Sequence, residues 1–187
     1  MKYNPAIHNR KSFRLKGYDY SQEGLYFITI CIKDRECLFG RIVGTSHAMS
    51  NKKMVLSEIG KIADEYWLAI PKHFPNVVLH EHIIMPNHIH GIIEISFVPV
   101  VVGTRHVVSL PEPTQRQFSK PIAGSISVMV QQYKSSVTRW CNKNDVKHFE
   151  WQSRFHEHII RNQKSFERIS NYIANNPENW EKDDFNS

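Results

Sequence analysis

Three His-x-His pairs punctuate this chain of 187 residues: His80/His82 and His88/His90 within HEHIIMPNHIHG (80–91), and His156/His158 within FHEH (155–158). Side chains alternate faces along a strand, so two histidines one residue apart present both imidazoles on the same side. Such a pair supplies two nitrogen ligands to a divalent cation; a third ligand and waters must complete the sphere. From 88 to 95 one face reads His88, His90, Ile92 and Glu94, and the other reads Ile89, Gly91, Ile93 and Ile95. Around the other two pairs the middle residue is Glu81 or Glu157, which puts a carboxylate on the reverse side. Only His88/His90 is backed by a wholly apolar face. The expectation is that this face seats helices while the two imidazoles stand out on the opposite one. Histidine pairs on a sheet face also meet water or backbone carbonyls without any metal, so spacing alone does not assign the site.

The elements that must position these residues follow from the apolar patterning. GLYFITICI (24–32) is a β-branched and aromatic strand. LFGRIVG and KKMVL flank a polar stretch as a hairpin, and Ser57 caps a helix with Ile59, Ile62, Ala63, Tyr66, Trp67 and Ile70 on one side, ended by Pro71 and Pro75. VVLHEHIIM and HIHGIIEIS are two strands about a turn at Pro86-Asn87. The stretch of about 96–120 is irregular and proline-punctuated, and Pro121 opens a helix over about 122–141. WQSRFHEHIIR reads as a fourth strand, and KSFERISNYIANNPENW as a helix stopped by Asn-Asn-Pro. This order is α+β and ferredoxin-like: a single domain over 1–187 with one antiparallel sheet, helices packed on it and the His88/His90 strand central.

Composition narrows the partners. Hydrophobic residues make up 41%, enough for a packed core, and 24 Lys+Arg against 18 Asp+Glu leave a formal charge of +6. Cys31, Cys37 and Cys141 form no CxxC and read as reduced thiols of a cytoplasmic protein. No apolar run is long enough to span a bilayer, and the first residues lack the apolar core of a signal peptide. In a basic arm over 1–20, Arg10, Lys11, Arg14 and Lys16 precede Tyr18 and Tyr20, a mixture suited to phosphates and unpaired bases.

MPNHIHG, followed some forty residues later by QQYKSSVTRW with its lone tyrosine, resembles the HUH single-tyrosine transposases, more narrowly the REP-associated tyrosine transposases and their insertion-sequence relatives. The similarity covers nearly the whole chain: RKSFRLKGYDYSQEGLYFITICIKDRECLFG, IIMPNHIHGII, QQYKSSVTRW, WQSRFHEHII and ISNYIANNPENW stand in the family's order. The resemblance implies Mg²⁺ or Mn²⁺ on His88 and His90, Tyr133 as nucleophile, and single-stranded or hairpin DNA as partner of a nucleoid-associated enzyme. It implies cleavage at hairpin-flanked sites through a 5′-phosphotyrosine link, then rejoining. Lys134 and Arg139, beside that tyrosine, become candidate phosphate contacts.

The residues constrain that reading. A phenol ester stores the energy of the broken phosphodiester, so resealing needs no ATP. The phenol's ordinary pKa near 10 leaves a deficit of roughly 4 kcal/mol at neutrality, which a cation and neighbours must offset. Tyr133 lies in the apolar stripe Ile126, Val130, Tyr133, Val137 and Trp140, which reads equally well as core. If the isoleucine face of the histidine strand is the helix-covered one, the Tyr133 helix must reach the other face or come from a second chain, as in a homodimer. The linker of 96–120, extending roughly 80 Å at most, permits either. Relatives commonly take a third metal ligand from a polar residue one turn after the tyrosine, where this chain has Val137. A catalytically impaired single-stranded DNA-binding protein on the same fold is therefore the alternative, and a structural zinc protein using several of the eleven histidines is a third.

Overall fold

The computed structural model describes residues 18–44, 52–96 and 122–186. Arg10, Lys11, Arg14 and Lys16 lie outside the described residues, as do residues 97–121, which hold nearly all of the irregular stretch expected over about 96–120. Four strands form the main sheet: β1 (Gly24–Cys31), β4 (Val77–Ile84), β5 (His88–Ile95) and β6 (His156–Ile160). Their spatial order is β4-β5-β1-β6, and every neighbouring pair is antiparallel, which is the ferredoxin-like arrangement the element order predicts. β2 (Gly40–Val43) and β3 (Lys53–Leu56) pair as a separate two-stranded sheet, so the expected hairpin exists but does not extend the main one.

The helices divide between the two faces. α1 (Glu58–Leu68) is capped by Ser57, whose Oγ accepts from the Gly60 amide at 3.1 Å, and the short α2 (Ile70–His73) follows it. α3 (Ile126–Lys143) starts four residues later than the sequence suggests. With α1 and α2 it covers one face, where Trp67, Met129, Val130 and Val137 pack on Tyr26, Ile28, Ile30, Ile89 and Ile93. α4 (Gln163–Ala174) covers the other face, setting Ile169 and Ile173 on Ile92 and Ile160. α5 (Asn176–Asn179) and the residues after it then turn back along that second face. No helix among the described residues is long and apolar enough to cross a membrane.

The strand carrying the histidine pair is thus sandwiched rather than half exposed. Its isoleucines face α1 and α3 as expected. His88 and His90, expected to stand out, are 0% and 1% exposed because α4 and the C-terminal segment cover them. Gly91 is where α1 comes closest. A β-carbon there would lie 2.3 Å from Trp67 Cζ2, well inside contact distance. Overpacking of this kind typically costs about 1–3 kcal/mol. Gly91→Ala should lower the unfolding free energy by at least that range in urea titration, and a neutral result would contradict the close approach of Trp67 to β5.

Candidate metal and tyrosine site

Three side chains fix the two imidazoles. Asn87 sits at the turn before β5, with its Nδ2 donating to the carbonyls of Arg35 (3.1 Å) and Phe185 (2.8 Å). With both amide hydrogens spent, Asn87 Oδ1 must accept, and it faces His88 Nδ1 at 2.8 Å. His88 therefore carries its proton on Nδ1. Its Nε2 is left as a bare lone pair, buried and without a hydrogen-bond partner among the described residues. His90 Nδ1 lies 2.8 Å from Thr29 Oγ1 on β1, and its Nε2 lies 3.2 Å from the Tyr172 hydroxyl on α4.

Burial also sets the charge of the pair. It pulls His88 down to about 3, with the Arg35 cation adding to the effect. It holds His90 well below the ordinary imidazole value, assisted by His88 and opposed by Asp183. Both rings are neutral at pH 7, the form a metal requires. Ligand atoms of His88, His90 and Asp183 lie within 4.8 Å of one another. Donors on one ion with bonds of about 2.0–2.1 Å stand roughly 3–4 Å apart, so a small inward movement completes the set. Asn176, 1% exposed, gives its Nδ2 to Asp183 Oδ2 at 2.9 Å and leaves Oδ1 buried without a partner. Two orphaned acceptors among neutral imidazoles, a carboxylate and a carboxamide fit a divalent cation.

Aromatic rings enclose the site. Phe185 lies 4.7 Å from His88 and 5.7 Å from His90, Trp180 lies 6.0 Å from His88, and Phe27 lies 5.2 Å from His90. Arg35 reaches across the Phe185 ring at 5.6 Å and donates to the Asp184 carbonyl. Tyr172 is 43% exposed, so its hydroxyl bridges the buried pair and the surface. Burial, with Asp183 adding to it, pushes that phenol up to about 12.

The solved structure of a REP-associated tyrosine transposase bound to a REP hairpin matches 90% of this chain and 73% of its own, at TM-score 0.53 and 21% identity. This chain has that transposase's fold. A Haemophilus influenzae protein described as "Uncharacterized protein" is 44% identical over 182 residues, covering 97% of this chain and 96% of its own. The two belong to one family. No protein-family model matches the chain.

Within this transposase fold the structure does not bring Tyr133 to the histidines, which corrects the sequence-based placement. α3 lies on the isoleucine face, and the Tyr133 hydroxyl, 3% exposed, donates to the Ala63 carbonyl at 2.9 Å. Its ring meets Trp67 edge-on at 5.5 Å, and burial holds its pKa well above 10. The apolar stripe was core. Lys134 and Arg139 lie on the outward side of α3, away from the pair. The phenol that does reach the pair, Tyr172, escaped sequence reasoning. Its signal was a tyrosine three residues after Ile169 in α4, just ahead of the Asn-Asn-Pro stop that returns the chain toward the histidines.

The other two pairs are resolved by the sheet. A bulge in β4 between Leu79 and His82 breaks the alternation. His82 consequently pairs with Asp64 of α1 at 2.8 Å, while His80 meets Glu94 at 2.7 Å on the α4 side. His156 and His158 stand opposite Thr29 and Phe27 and share the face of the candidate site, both exposed.

Two outcomes follow. Below the ordinary imidazole pKa of 6.5 the unfolded chain takes up protons that folded His88, depressed to about 3, and folded His90, depressed in the same direction, refuse. Metal-free protein should therefore lose stability as pH falls below about 6.5, by up to about 1.4 kcal/mol per pH unit for each ring. Urea unfolding across that range checks this, and a flat profile would contradict it. Asn87→Ala removes the acceptor that fixes the His88 tautomer. Mn²⁺ affinity should fall about 10–100-fold in calorimetric titration.

Proposed function

We propose that this chain is a metal-dependent DNA transposase that nicks and rejoins single strands through a tyrosine ester, with Tyr172 rather than Tyr133 as nucleophile. The observation that carries the reading is the 3.2 Å separation of the Tyr172 hydroxyl from His90 Nε2, beside the bare Nε2 of His88. Single-stranded DNA bearing hairpins is the proposed substrate, supported by the fold shared with a transposase solved on a REP hairpin. Mg²⁺ or Mn²⁺ is the proposed cofactor, held by His88 and His90, with Asp183 or Asn176 Oδ1 as third donor. Asn176 lies one turn after Tyr172, the place where Val137 stood one turn after Tyr133. The motive for a catalytically impaired binding module thereby falls away.

A bound cation would neutralise the non-bridging oxygens and fix the line of attack. The chain's own groups do the rest. Tyr172 Oη bonds to phosphorus as the P–O3′ bond breaks; the phenol proton is lost and the departing 3′ oxygen gains one. The products are a 5′-phosphotyrosine and a free 3′ hydroxyl, and the reverse attack reseals a strand. Asn87 and Thr29 hold the imidazoles in register. Phe185 packs over both rings, so a phosphodiester reaching them would have to displace part of this aromatic cover. Tyr172 meets the histidines within one chain, so this geometry needs no tyrosine from a partner. Arg10, Lys11, Arg14, Lys16, Lys134 and Arg139 are the proposed nucleic-acid contacts, and the nucleoid is the proposed location.

The test is incubation with labelled hairpin-bearing single strands and Mn²⁺. A denaturation-resistant adduct should form and map to Tyr172 by mass spectrometry. Tyr172→Phe should abolish it while DNA binding persists, and Tyr133→Phe should leave it at a comparable level if the protein folds. An adduct that survives Tyr172→Phe sinks the assignment.

A further inference from the structure

The outward side of α3 carries a second feature that the nicking chemistry does not use. A groove of about 850 Å³ runs between this helix and the segment leading into β6. Lys134, Arg139 and Lys143 line it together with Trp151, Ser153 and Phe155, and no carboxylate lines it among the described residues. The lysine and tryptophan are organised by contacts rather than merely adjacent. Trp151 Nε1 donates to the Lys134 carbonyl at 3.1 Å, and Lys134 Nζ lies 5.7 Å above the indole while donating to the Gln152 carbonyl at 2.6 Å. An aromatic ring with a cation held over it, followed by two further cations along about 13 Å of helix, matches a backbone of regularly spaced phosphates with exposed bases.

The groove also connects to the candidate site. Trp151 and Ser153 line a smaller groove of about 490 Å³ shared with Ile32, Lys33 and Arg35. Two acidic residues line it, Asp34 and Glu150, beside Lys33 and Arg35, and Glu150 is paired with Lys33 at 2.6 Å. Arg35 covers Phe185, which covers His88. The Gln152 amide donates to the carbonyl of Cys31, the residue paired with His88. A continuous path therefore runs from the histidine pair past Arg35, around Trp151 and onto α3. A paired duplex offers no free base face to an aromatic side chain, whereas a single strand does.

We propose that this groove binds the single-stranded DNA flanking the cleaved phosphate, its phosphates on Lys134, Arg139 and Lys143 and a base against Trp151. The assignment rests on the transposase reading and adds to it where the strand goes. It also gives Lys134 and Arg139 a role apart from the histidine pair.

The test uses the full chain carrying Tyr172→Phe, so that bound DNA stays intact. Fluorescence anisotropy compares a hairpin with an oligothymidine extension against the same hairpin blunt-ended. Arg139→Ala with Lys143→Ala alters two exposed side chains outside the histidine and tyrosine constellation. Affinity for the extended hairpin should fall about tenfold or more. The slope of log affinity against log salt should shrink by about 1.4, or about 0.7 for each single-strand phosphate left without its cationic side chain. Blunt hairpin binding should be unchanged. Photocrosslinking of 5-iodo-deoxyuridine in the extension should mark Trp151. An unchanged slope, or an equal loss on the blunt hairpin, overturns the groove assignment and leaves the tyrosine chemistry standing. Failure of the parent chain to bind either DNA overturns the transposase reading itself.

Discussion

Everything in this molecule turns on β5 being buried on both faces. A strand with one wet face could leave its histidines hydrated and titrating near neutrality. Here Ile89, Gly91 and Ile93 seat α1 and α3, while α4 and the C-terminal segment close over His88 and His90. Desolvation then disfavours the imidazolium and outweighs the opposing pull of Asp183, so the two rings are kept as neutral donors. The arrangement demands packing precision: the strand has a glycine where the Trp67 ring touches the backbone, and a carboxamide committed at three points to one tautomer.

The same sandwich separates the two phenols. Tyr133 and Tyr172 both sit on helices that pack against the sheet, at similar helical spacings within apolar patterns. The sheet itself stands between them. Tyr133 is sealed among Trp67, Trp151 and the Ala63 carbonyl, where its hydroxyl is satisfied. Tyr172 lies at the margin of the α4 interface, with its ring near Phe27 and its oxygen at His90. A buried, satisfied hydroxyl is a structural group. A half-exposed one at hydrogen-bond distance from a buried imidazole is open to solvent and to a substrate.

Much of this was legible in the sequence because it is local. The two-residue alternation of 88–95 gave the two faces of β5, the Ser57 cap gave the start of α1, and the element order gave the sheet. The stripe Ile126, Val130, Tyr133, Val137 announced a core helix, and the family resemblance pulled its tyrosine toward chemistry instead. What was hidden depends on pairing and chain return. The β4 bulge that sends His80 and His82 to opposite faces is a property of register against β5. The burial of His88 and His90 depends on residues 180–185, nearly a hundred positions away, folding back across the sheet. No periodicity within 88–95 encodes that cover.

Asp183 ties the candidate cation to the candidate nucleophile. Without a cation its carboxylate adds to burial in holding the Tyr172 proton on. A cation held by His88, His90 and Asp183 would offset that negative charge and lower the cost of ionising the phenol. Cation binding and ionisation of the phenol would therefore favour each other, reciprocally by linkage. Asn176 strengthens the arrangement without adding charge: its Nδ2 holds Asp183 in place, and its Oδ1 is buried without a partner among the described residues. Without a cation, burial and Asp183 together hold the Tyr172 proton in place, which would keep the proposed nucleophile protonated until the proposed cation binds.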